Sequence, residues 1–127
     1  MRVAFASSNL KSVDAHFGLA ESFIIYDVTA DKIEQLGVTV CPPGEAGDED
    51  KVESKLNLIK DCSVVYCTQI GGPAAARLVQ KSIHPLKVPE GRPIQEELER
   101  LQILLATNPP PWLAKKMKKE QKEASAQ

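Results

Sequence analysis

A run rich in β-branched and aromatic residues at 22–28 and a loosely alternating one at 32–40 are separated only by Thr29-Ala30-Asp31. A three-residue connector cannot cross over a sheet, so the two runs must lie side by side as an antiparallel hairpin. The rest of the chain has to build around it. A short apolar run at 2–6 precedes the hairpin, and after it the periodicity changes. Residues 41–50 hold Pro42, Pro43, Gly44 and Gly47 ahead of Asp48, Glu49 and Asp50. This is a loop that brings negative charge to the start of a helix, where the macrodipole favours it. Val52, Leu56 and Ile59 then recur at i, i+4 and i+7, the buried stripe of that helix. Residues 63–66 read as a buried strand. Gly72 and Pro73 open a second helix, since proline at the first helical position forfeits no hydrogen bond it could have made. A short strand is expected at 86–88. Ile94, Leu98, Leu101 and Leu105 mark a last amphipathic helix that stops before Asn108 and three prolines. No segment repeats.

Three strands followed by alternating helices and strands make an α/β domain. At 127 residues the chain is long enough for one core and too short for two ordinary ones. Residues 1–113 are expected to form the domain. Residues 114–127 are basic, polar and without periodicity, and are expected to be a disordered tail beyond a helical start near Trp112. Sixteen basic residues against seventeen acidic leave a net charge of −1, which argues neither for a nucleic-acid coat nor for an acidic, solvating chain. No signal peptide and no apolar run of membrane-spanning length is visible, so the expected location is cytoplasmic. Three cysteines in such a chain fit free thiols better than a disulfide framework.

Four segments carry a resemblance. They are the stretch from Val13 to Val28 containing Asp14-Ala15-His16-Phe17-Gly18, then Thr68-Gln69-Ile70-Gly71-Gly72-Pro73-Ala74-Ala75-Ala76-Arg77-Leu78-Val79, then Ser82-Ile83-His84-Pro85-Leu86-Lys87-Val88, and finally Pro109-Pro110-Pro111-Trp112-Leu113. In this order the chain resembles the dinitrogenase iron-molybdenum cofactor-binding family over residues 1–113. The resemblance implies a ribonuclease H-like single domain with a five-stranded mixed sheet in the order 3-2-1-4-5, flanked by helices. It implies a carrier rather than an enzyme. The cargo would be an iron-sulfur precursor cluster of the iron-molybdenum cofactor, of the NifB-co type, bound transiently. The implied partners are the cofactor-assembly scaffold and the cluster-donating protein of nitrogenase biosynthesis, with neither nucleic acid nor membrane. His16, at the His-Phe-Gly position, would be the cluster ligand.

That strand order turns spacing into geometry. Strands 1, 3, 4 and 5 would point one way and strand 2 the other, with the carboxyl ends of strands 1, 3 and 4 along one edge, where open α/β sheets bind ligands. His16, Cys41 and Cys67 fall at that edge, whereas Cys62 and His84 precede their strands and fall at the other. A neutral imidazole suits iron, and thiolates suit iron-sulfur clusters. His16, Cys67 and Cys41 are therefore the candidate metal ligands. From the residues alone, the more ordinary reading of His16 is a turn cap or a neighbour of Phe17, and that of each cysteine is a small buried hydrophobe. Cys67 ranks above Cys41 because a strand end fixes a side chain. Cys62 and Cys67, five residues apart, are expected on opposite faces. Gly18 is expected to supply a backbone angle that other residues avoid.

Gly71-Gly72-Pro73 at a helix start exposes backbone N–H groups at the positive end of a dipole, which suits an anionic cluster or a phosphate, or is only a tight turn. Arg77, one turn on, would add donors or simply be solvated. The competing function is a regulatory or anion-binding module that takes a phosphate-bearing small molecule at this turn. A metal-dependent nuclease is disfavoured, since two-metal chemistry needs carboxylates on the central strands and strands 1 and 4 have none. A zinc site and a thiol enzyme lack a fourth ligand and an orienting third residue, respectively. The five lysines between 115 and 122 are a solvated terminus or a docking patch for an acidic partner.

Overall fold

A computed structural model describes residues 1–41 and 48–125; the proline- and glycine-rich stretch at 42–47 lies outside the described residues. The first strand, β1 (Arg2–Ala6), is buried along almost its whole length. Its alternation is one of size rather than polarity. Val3 and Phe5 face one core and Ala4 and Ala6 the other, because a central strand covered on both faces has no polar side to show. The expected hairpin follows as β3 (Ser22–Val28) and β4 (Ile33–Val40), antiparallel. Thr29 closes it, its N–H donating to the Lys32 carbonyl at 2.9 Å while its hydroxyl accepts from the Lys32 N–H at 3.0 Å. The ladder slips between Ile25 and Tyr26, opposite Gly37, whose φ of +152° side chains rarely adopt.

Then come α1 (Asp48–Leu58), β5 (Val64–Cys67), α2 (Gly72–Gln80), β6 (His84–Lys87) and α3 (Ile94–Ala106). The main sheet runs β4-β3-β1-β5-β6, with only β3 reversed. A five-stranded mixed sheet in one α/β domain results. One face packs on α1 and α2 through Leu56 and Leu78, with Ile59 in the turn just past α1, against Ala4, Ala6, Phe23, Val65 and Cys67. On the other face, Ile94, Leu98 and Leu101 of α3 lie over Val3, Phe5, Ile24, Val64 and Tyr66. The strand expected at 86–88 begins earlier, at His84, because β6 extends back alongside β5 in parallel.

Two features differ from the sequence reading. First, β2 (Ser12–Val13) and β7 (Arg92–Pro93) form a separate two-stranded sheet. Ile94 N–H donates to the Lys11 carbonyl and Gly91 N–H to the Val13 carbonyl, both at 2.9 Å. Two residues are too few to leave a periodic signal. Second, residues 114–125 of the segment expected to be a disordered tail are helical: α4 (Pro111–Ser125) starts on a proline. Leu113 is fully buried, Trp112 and Met117 pack against the same core, and the Trp112 and His84 rings stack 3.9 Å apart. Glu120 accepts a hydrogen bond from Ser63 Oγ at 3.1 Å and lies 3.9 Å from the amino terminus. The lysines outnumber these anchors in the sequence, so composition concealed a helix that only tertiary contacts hold. No helix among the described residues is long and apolar enough to cross a membrane.

Candidate functional site

The loop after β1 is anchored by one residue and presents the one before it. Phe17 is fully buried, its ring 5.8 Å from that of Phe23, and it opens a single 3-10 turn, Phe17–Leu19. His16, immediately before, is exposed. Its side chain makes no capping hydrogen bond to the turn, so the turn-capping reading of this histidine falls away. Earlier in the loop, Asp14 holds Ser8 through its N–H at 2.9 Å and its hydroxyl at 2.6 Å.

Backbone pairing carries this loop onto the segment before α2. Phe17 N–H donates to the Gln69 carbonyl at 2.8 Å, and Thr68 N–H donates to the Ala15 carbonyl at 3.0 Å. His16 thus stands between two residues stitched to 68–69, only a few residues from Gly71 and Gly72. Gly71 is the N-cap of α2 without any side-chain cap, and a Cβ at either glycine would meet open space. Pro73 carries no N–H, so the amides of Gly72 and Ala74 are the donors left in the helix's first turn. Thr68 Oγ1 is buried and has no hydrogen-bond partner among the described residues.

Under the loop lies a residue with no motif to announce it. Lys55 of α1 is 7% exposed, and its ammonium donates to the Phe17 carbonyl at 3.1 Å and the Gly18 carbonyl at 2.6 Å. A buried lysine survives only when its charge is satisfied in this way. The bonds fix the turn and place a positive charge at the carbonyls of the two residues after His16. Gly18 is not among the residues with positive φ; its part in the loop is the carbonyl it offers Lys55.

The other candidates are placed differently. Cys67 ends β5 at the expected edge but points into the α1–α2 core with no exposed surface, and burial pushes its thiol up to about 11. To bind metal it would have to lose that proton and leave the core. Cys41 is nearly buried in the same cluster and its thiol is raised, first by burial, with Lys55 opposing. Cys62, expected on the other face from Cys67, shares its cluster because it precedes β5 in a turn rather than in the strand. Its thiol is pushed up to about 12 by burial. Arg77 pairs with Glu53 of α1, to which Lys81 also reaches at 3.8 Å, so it clamps the two helices together. Among the described residues there is no group of three or more His, Cys, Asp or Glu disposed to hold a metal ion. The Lys55 ammonium holds the turn that follows His16, and the pairing of 15–17 with 68–69 ties that turn to the segment running into Gly72 and Ala74.

The profile of the dinitrogenase iron-molybdenum cofactor family matches residues 1–103. Protein NifX of Herbaspirillum seropedicae is 41% identical over 123 residues, an alignment spanning 95% of this chain and 84% of that protein. Protein NifY of Azotobacter vinelandii is 40% identical over 118 residues, spanning 92% of this chain and 48% of that longer protein. Among solved structures, that of PH0822 superposes with a TM-score of 0.64 at 27% identity, covering 80% of this chain and 88% of that one. With the family profile spanning most of the domain and relatives of this similarity along nearly the whole chain, the protein belongs to the dinitrogenase iron-molybdenum cofactor family, as one of the NifX type.

Proposed function

We propose that this protein is a non-catalytic carrier in the biosynthesis of the nitrogenase iron-molybdenum cofactor, holding an iron-sulfur precursor as cargo and passing it between the proteins that make and complete it. Support comes from the names of its relatives and from the fit between cargo and site. A metal-sulfide cluster brings its own bridging sulfides and negative charge, so it needs few protein ligands and a positive seat. One exposed imidazole, before a turn held by a buried ammonium and tied to the segment that runs into open helix-start amides, meets that need. The single observation that carries the reading is the pair of backbone hydrogen bonds joining 15–17 to 68–69, because they tie the His16 loop to the segment that runs into α2. A lone ligand also suits a cargo that must leave again. We read the topology as ribonuclease H-like from its strand order and single reversed strand. The likeness transfers no nuclease chemistry, since β1 and β5 carry no carboxylate.

Anaerobic titration with the isolated precursor tests the proposal. A carrier takes up iron and visible absorption in a saturable way, and loses both on His16→Ala. A protein that stays colourless under those conditions while binding inorganic phosphate would instead be the anion-binding module.

A further inference from the structure

On the α3 side of the sheet, β5, β6, α3 and the start of α4 surround a cavity of about 470 Å³, within the roughly 300–1,000 Å³ of small-molecule sites. None of its lining residues belongs to the His16 site. Tyr66 and Leu86, neighbours across the β5–β6 ladder, form part of its wall, and Trp112 adds another aromatic surface. Both aromatic rings are held by partners. Tyr66 stacks on Phe5 at 4.5 Å, and Trp112 stacks on His84 at 3.9 Å. A ligand would therefore meet surfaces already in position, which reduces the ordering cost of binding.

The charged residues around it do not balance. Lys87, Arg92 and Arg100 line the cavity against a single acid, Glu97. Glu97 is 4% exposed and is answered by Arg92 Nε at 2.7 Å. Lys87 and Arg100 form no ion pair among the described residues. An unanswered guanidinium presents a fork of donors that matches an oxyanion, while the aromatic and aliphatic walls favour hydrocarbon. We propose that this cavity binds a small organic oxyanion, a carboxylate or phosphate on an apolar or aromatic body, with the charged end toward Arg100 and Lys87 and the body against Tyr66 and Trp112. The site is separate from that of the cargo.

Trp112 is the chain's single tryptophan, so its indole N–H gives one resonance that reports on the cavity directly. The full chain is titrated with 2-naphthoate, 2-naphthyl phosphate and the neutral 2-naphthalenemethanol, by calorimetry and by nitrogen-15 spectra. Both anions should bind saturably, move the Trp112 indole resonance and bind at least about tenfold more tightly than the alcohol; the tighter of the two identifies the head group. Arg100→Gln, at an exposed position, should cost about tenfold in anion affinity, while Lys119→Gln, which does not line the cavity, should cost nothing. Lys87→Gln is the second variant should Arg100→Gln disturb the spectrum as a whole. Equal affinity for anions and alcohol, unchanged affinity in the cavity variants, or resonance changes centred on His16 and Gly72 instead of Trp112 would each overturn the proposal.

Discussion

The turn that presents His16 is held by a buried ammonium that no motif picks out. Lys55 reaches 37 and 38 residues back along the chain to the Gly18 and Phe17 carbonyls, and Lys55→Met would leave those acceptors without their donor. We expect it to cost about 1–3 kcal/mol in urea denaturation and to weaken cluster binding with His16 intact. A variant as stable as the parent would show that the ammonium does not hold the turn. His16→Ala should behave in the opposite way. The side chain is exposed, so stability should move by no more than about 0.5 kcal/mol, while cluster affinity falls at least about tenfold, the lower end of what losing even an outer hydrogen-bonding partner costs a metal site. Iron retention measured beside a melting curve separates the two effects. For the thiols, Cys67→Ser buries a hydroxyl in an apolar cluster and should cost about 1–3 kcal/mol, with cluster affinity per folded molecule unchanged. Loss of affinity without loss of stability would return Cys67 to the ligand set. The edge location of Cys67 was legible in the sequence, but its direction was not, because a strand covered on both faces gives its side chains no polar side to mark the surface.

At the scale of elements, α4 is where composition misled. A lysine-rich segment reads as solvated, yet Leu113, Trp112 and Met117 give it one apolar strip, and the strip has a core to meet. Leu113→Ala should cost about 2–5 kcal/mol in chemical denaturation. A loss under about 0.5 kcal/mol would mean that the helix is not docked. The contact between Trp112 and His84 also makes the docking sensitive to acid. Burial first, and then the Lys116 ammonium, hold the His84 pKa below its ordinary 6.5. A base whose folded pKa is lowered contributes no penalty above its unfolded pKa. As pH falls below about 6.5, the unfolded chain takes up the proton more readily and stability declines. Unfolding free energies at about pH 7.5 and about pH 5.5 should therefore differ more in the parent than in His84→Gln. Equal differences would remove His84 from the account.

Taken whole, the molecule covers both faces of its central strands and, among the described residues, leaves apolar side chains of the edge strand β4 exposed. Leu36, Val38 and Val40 of β4 are 44%, 41% and 72% exposed, and an apolar edge strand invites pairing between molecules. Val40→Lys should leave stability within about 0.5 kcal/mol and reduce self-association near the isoelectric point of about 6.1, measured by light scattering; unchanged scattering would show that the edge is inert. Connector length and hydrophobic period are properties of neighbouring residues, so the sequence by itself determined the hairpin, the three helices from α1 to α3, and the α/β class. The four matching segments carried the family. The tertiary structure alone decided that Lys55 bonds the turn after His16, that Arg77 clamps α1, that the cysteines belong to the core, that α4 folds, and that a cationic cavity opens beside Trp112. Each of these rests on groups far apart in the chain, and their meeting depends on how the layers stack, which no local pattern encodes.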